Sequence, residues 1–92
     1  MNKVIKFSAA WCNPCKIMKP QYNKFIETVS TDGKNVEIVD LDVDTNHEEA
    51  AKYGVRSIPI TLFIKDGEVA DKISGVATCD SLLNTYHTVF NS

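Results

Sequence analysis

The amino-acid sequence predicts an α/β fold, a mixed four-stranded sheet flanked by helices in the order β-α-β-α-β-β-α. Three observations carry this prediction. The apolar run of Val4, Ile5 and Phe7 gives way to Met18, Tyr22, Phe25 and Val29, whose spacing of four, three and four is that of a helix face. A β-branched run from Val36 to Val43 follows that helix, and Asp66-Gly67 then divides two further strand-like runs. Strands joined through a long helix lie parallel with a right-handed crossover, whereas a two-residue loop joins antiparallel neighbours, so the sheet is mixed. At 92 residues and 43% apolar content the chain forms one domain over 1–92 with one modest core.

Each element has its own local signals. The first strand ends where Ser8-Ala9-Ala10 begins a turn of small residues, and the first helix runs from Cys12 until Thr31-Asp32-Gly33 stops it. Pro20 inside that helix removes the bond to the Lys16 carbonyl and is expected to kink it. Thr45-Asn46-His47-Glu48 has the form of a capping box opening a short helix that Gly54 closes. Strands over 60–64 and 68–73 flank the Asp66-Gly67 hairpin. Thr78 caps a last helix whose Leu82, Leu83, Tyr86, Val89 and Phe90 form one apolar stripe.

Charge and composition narrow the function. Ten basic and twelve acidic residues leave a net charge of −2, which gives no long-range attraction for nucleic acid or an anionic membrane. The first residues lack the apolar core of a secretory signal, and no run approaches membrane-spanning length, so a cytoplasmic location is expected. Three cysteines, an odd number, argue against a disulfide scaffold and leave redox chemistry or metal binding for the close pair Cys12 and Cys15.

That pair stands where a strand gives way to a helix. Cys12 falls at the helix N-terminus, where unpaired amides and the helix dipole favour a thiolate, which makes it the expected nucleophile. Cys15 lies nearly one turn later with its sulfur facing the first, which suits a resolving thiol. Pro14, at an early helical position, stiffens the intervening loop. A structural zinc site would need four ligands, and the remaining candidates Cys79, His47 and His87 form no second close pair. The run Asp40-Leu41-Asp42-Val43-Asp44 opens like a calcium loop, but Thr45 stands where that loop needs glycine and Ala51 where it needs glutamate. Cys79 reads as a small buried space-filler, His47 and His87 as surface or capping residues, and Tyr86 and Phe90 as core.

"WCNPCK" over 11–16, "YGVRSIPITLFIKDGEV" over 53–69, and Gly75 together resemble the active-site loop, the cis-proline hairpin and the late glycine of the thioredoxin family. The similarity runs through nearly the whole chain. It implies a thioredoxin fold and a general protein disulfide reductase that binds no cofactor. Its expected partners are proteins carrying disulfides and a flavoenzyme reductase of the thioredoxin reductase type, and the protein itself is expected to be monomeric. The resemblance also implies a cis Ile58-Pro59 peptide beside the sulfurs, with Trp11, Asn13, Pro14 and Gly75 bordering the docking surface. Two other readings compete. One is a glutaredoxin-like enzyme fed by glutathione, suggested by the short chain but opposed by Trp11 and "SIPI". The other is a binding module that uses the same surface with its cysteines incidental or regulatory.

The chain departs from the family pattern in places. Family members usually begin with an extra strand and helix, and Asn13 replaces the usual glycine between the cysteines. Six residues before the first cysteine, where the family usually carries a buried aspartate, stands Lys6. Nineteen before the proline, where the family has the lysine that pairs with it, stands Asp40. Lys6 and Asp40 are therefore expected to form a charge-exchanged pair on adjacent strands beneath Cys15. The lysine would favour thiolate, and Asp40 could relay a proton through water.

Overall fold

Strand β1 (Lys3–Ser8) is the second strand of a sheet ordered β2-β1-β3-β4, in which β2 spans Glu37–Asp42, β3 spans Ile60–Lys65 and β4 spans Glu68–Ser74. The computed structural model describes residues 1–91. β1 pairs in parallel with β2, as the long helical crossover requires, and antiparallel with β3, while the Asp66-Gly67 hairpin makes β3 and β4 antiparallel. Helices α1 (Asn13–Val29), α2 (His47–Lys52) and α3 (Cys79–Phe90) cover the sheet.

Side-chain alternation along β1 divides the core into two layers. Val4 packs with Phe63 of β3, with Met18, Tyr22 and Phe25 of α1, and with Leu82 and Tyr86 of α3. Ile5 and Phe7 point the other way and meet Leu62 and Ile64, with Ala50 and Tyr53 from the α2 region against them. Each of these large side chains contributes about 1.5–3 kcal/mol by leaving water. β3 is buried along nearly its whole length, whereas the edge strand β4 is almost entirely exposed and carries Glu68, Asp71 and Lys72. Asp66 and Gly67 both have positive φ, 54° and 85°, the backbone that a two-residue hairpin turn needs. The chain start is tied to this turn, because the Asp66 amide donates to Asn2 Oδ1 at 3.0 Å and the Gly67 amide to the Met1 carbonyl at 3.0 Å.

One local expectation meets a different outcome. Thr45 does not cap α2: the cap position is Asn46, and its side chain makes no capping bond. The turn after β2 takes both groups instead. The Thr45 hydroxyl and the Asn46 amide group each donate to the Asp42 carbonyl, at 3.3 Å and 2.9 Å. Around Pro20 the helix α1 continues in both directions. Thr78 caps α3 as expected, its hydroxyl accepting from the Ser81 amide at 3.2 Å.

Candidate active site

The turn from β1 into α1 places Cys12 as the helix cap residue with extended backbone, and its sulfur accepts a hydrogen bond from the Cys15 amide at 3.2 Å. A thiolate at this position would receive the same amide and the positive end of the helix dipole. Cys12 and Cys15 form a disulfide across a Cα–Cα separation of 5.3 Å. Both are buried against Ala9, with Val43 and Ile58 beside them. Pro14 enters the first helical turn, where its missing N–H removes no intrahelical bond, and it stands exposed with Asn13 beside the sulfurs.

Opposite the disulfide, Ile58-Pro59 is a cis peptide and Pro59 is buried. The Pro59 carbonyl accepts from the Gly75 amide at 2.8 Å, and Gly75 holds φ at 86°, a left-handed backbone that favours glycine. Trp11 is 66% exposed, an unusual placement for so large an aromatic, yet its indole Nε1 donates to Asp44 Oδ2 at 3.0 Å. That bond fixes the ring over an open groove of about 300 Å³ whose walls include His47, Val55, Arg56 and Ile58. The groove mixes apolar and polar lining, and its Val43 and Ile58 also pack beside the two sulfurs.

On the α1 side of the sheet, Lys6 is 1% exposed, and its Nζ lies 3.1 Å from Asp40 Oδ2. The charge-exchanged pair is present in the structure. Asp40 Oδ1 accepts from the Ser8 hydroxyl at 3.1 Å, so both of its oxygens are engaged. Beneath the ammonium lies the Tyr22 ring, 4.8 Å to its centroid. The Tyr22 hydroxyl donates to the Val39 carbonyl at 2.8 Å. Burial pushes the Tyr22 phenol well above its ordinary range, and the negative charge of Asp40 adds to this, against a smaller opposing effect from a hydrogen bond with the Lys6 backbone.

Several members of this constellation were not foreseen in their present roles. Tyr22 carries only a helix-face signal in the sequence, because periodicity reports which side a residue faces and not what its tip meets. Ser8, the Trp11 partner Asp44, and the groove residues His47 and Arg56 stood in stretches read as a turn, a rejected calcium loop, a capping box and the proline hairpin, and none of those readings marked them for the site. Cys79 is buried in the core, with its amide donating to Gln21 Oε1 at 2.7 Å, and His87 Nδ1 bonds the Asn91 side chain at 2.9 Å. Among the described residues, no three His, Cys, Asp or Glu side chains are grouped as a metal site would require.

The family model that describes thioredoxin matches residues 1–88. Thioredoxin of Bacillus subtilis (strain 168) is 42% identical over 76 residues, covering 83% of this chain and 70% of the relative. Thioredoxin of Mycoplasmoides gallisepticum is 43% identical over 72 residues, covering 78% and 68%. Among solved structures, that of Fasciola hepatica thioredoxin superposes with a TM-score of 0.82 at 35% identity, covering 96% of this chain and 80% of the other.

Proposed function

The chain belongs to the thioredoxin family and is a thiol-disulfide oxidoreductase that acts on protein disulfides, and from that premise we propose that Cys12 is its nucleophile and Cys15 its resolving thiol. One observation carries the assignment of roles: the Cys12 sulfur sits at the cap of α1, accepts the Cys15 amide and is bonded to the Cys15 sulfur. In the reduced protein the Cys12 thiolate attacks a substrate disulfide. One substrate sulfur leaves as a thiolate, and a mixed disulfide joins Cys12 to the other. Cys15 then attacks the Cys12 sulfur, the Cys12–Cys15 bond forms, and the second substrate sulfur leaves. Two electrons have passed to the substrate, whose sulfurs take up two protons.

The substrate lies as an extended segment across Ile58 and Pro59, with Trp11, Asn13, Pro14 and Gly75 at the borders of the contact. The groove beside Trp11 and the buried, fixed Pro59 support this placement. The chemistry resides in the sulfurs, so no bound cofactor enters the cycle, and electrons return through a separate flavoenzyme reductase that takes them from NADPH. A reducing cytoplasm suits a protein that keeps a buried free thiol, Cys79, next to its core.

Insulin reduction coupled to NADPH through a thioredoxin reductase tests the reading. Turnover is expected, Cys12→Ser should abolish it, and Cys15→Ser should accumulate a Cys12-linked mixed disulfide with the substrate. Turnover that survives Cys12→Ser sinks the assignment, and turnover supported by glutathione alone replaces the flavoenzyme as donor.

A further inference from the structure

We propose that Lys6 is a positioning residue for the second half of the exchange, its buried ammonium holding Cys15 as a thiolate while Asp40 serves as the lysine's counter-ion and not as a base. This deepens the reading above and rests on Cys15 being the resolving thiol.

Lysine is almost never fully buried unless paired, and Lys6 sits in a strand with neighbours on both sides, the central one of β2-β1-β3. Its pairing is unequal. The Lys6 side chain is 2% exposed and that of Asp40 is 38% exposed, so water screens the carboxylate more effectively than the ammonium. Across the sheet the register sets Asp40 on one flank of Lys6 and Thr61 on the other. Directly paired residues project from the same face, so the lysine has a carboxylate on one side and only a neutral hydroxyl on the other. That hydroxyl, Thr61 Oγ1, is buried and has no hydrogen-bond partner.

Lys6, Asp40 and Cys15 line one open pocket of about 340 Å³. The other charged groups facing Cys15 there are Lys16 and Lys19 from α1, both exposed, and Asp42 from β2. Of the charges around that sulfur, the one least reached by water is positive. A cation in a poorly screened site favours the thiolate over the thiol. Asp40 is poorly placed to take the proton itself, since one oxygen holds Lys6 and the other accepts from Ser8. The proton of Cys15 therefore passes to water in the pocket and on to solvent. The thiolate attacks Cys12, the new bond closes, the mixed disulfide opens, and the departing substrate thiolate takes a proton from solvent.

Two measurements test this. In reduced Cys12→Ser protein, the rate of Cys15 alkylation is followed against pH by peptide mass spectrometry. In protein with both cysteines, the midpoint potential of the Cys12/Cys15 couple is read against glutathione. Lys6→Met should raise the alkylation midpoint by about one pH unit, a tenfold loss of thiolate below it. It should also make the couple more reducing, because the reduced form loses its stabilised anion. Lys6→Met/Asp40→Asn removes both charges and leaves no unpaired buried ion; it should move both readouts part of the way back. The proposal is overturned if Lys6→Met leaves the readouts unmoved, or if the double variant lies level with the single one or beyond it. Failure of the unmodified protein to form a Cys12–Cys15 disulfide in the glutathione titration would instead remove the exchange reaction itself.

Discussion

Lys6 and Asp40 are unequal partners, and the inequality governs what each substitution does to stability. Removing the carboxylate strands an ammonium that is 1% exposed, whereas removing the lysine leaves a carboxylate that can reach water. Asp40→Ala is expected to cost about 1–3 kcal/mol, below the range for a wholly buried pair because Asp40 is partly solvated. In the oxidised protein, where no thiolate depends on the ammonium, Lys6→Met should be neutral or stabilising, since an apolar side chain of similar length fills the same space. Urea unfolding of the two variants checks the asymmetry, and equal losses would contradict it. Thr61 gives a second prediction at this scale. Its buried hydroxyl has no hydrogen-bond partner, so the near-isosteric Thr61→Val should raise stability by about 1 kcal/mol. The lysine was conspicuous in the sequence, standing between Ile5 and Phe7 in a strand-like run. The Ser8 bond to Asp40 was not legible because it depends on the register of β1 against β2, and the Tyr22 ring under the ammonium because it depends on how α1 sits over the sheet.

At the scale of elements, Tyr22 fastens helix α1 to strand β2 through its bond to the Val39 carbonyl. Burial, then the Asp40 charge, raises the folded-state pKa of this phenol above the value near 10 of an exposed tyrosine. The unfolded chain therefore releases this proton first as pH rises. Stability is full below about pH 10 and falls with increasing pH above it. Tyr86 adds to the decline in the same sense, raised by burial and by the charge and hydrogen bond of Asp32. Tyr22→Phe should cost about 1 kcal/mol at neutral pH and flatten part of the alkaline decline. Urea midpoints from pH 7 to about 11 measure both effects, and an unchanged alkaline slope would show that the phenol titrates outside the clamp. Elements with strong local signals were legible almost to the residue. The hairpin is specified by the two positive-φ positions Asp66 and Gly67, and α3 by the Thr78 cap with its apolar stripe. Helix α2 was legible in place but not in its cap, since Thr45 and Asn46 are drawn back to the Asp42 carbonyl by a turn that no local pattern encodes.

For the whole molecule, the order of elements and the handedness of strand-helix-strand crossovers left few topologies, which is why a mixed sheet followed from the sequence, whereas the strand order β2-β1-β3-β4 is set by packing that the chain order does not spell out. The site was legible for a related reason: chain order brings the end of β1, the start of β3 and the Gly75 turn to one rim. The same unity makes redox state and folding a single thermodynamic cycle. The free energy by which the oxidised form is harder to unfold than the reduced form equals the difference in disulfide formation between folded and unfolded chains. Closing the four-residue loop from Cys12 to Cys15 restricts the unfolded chain by about 2 kcal/mol on a chain-entropy basis. The field of Lys6 opposes this by stabilising the reduced folded protein, where a thiolate lies near the ammonium. The oxidised form should therefore be more stable, by less than the loop term alone. In Lys6→Met the opposing contribution is lost and the gap should widen by about 1.4 kcal/mol, the equivalent of a tenfold loss of thiolate. Urea unfolding of oxidised and reduced samples, with and without Lys6, gives the four free energies required. A gap that narrows in Lys6→Met would mean that the ammonium favours the disulfide, with the opposite sign for the charge beneath Cys15.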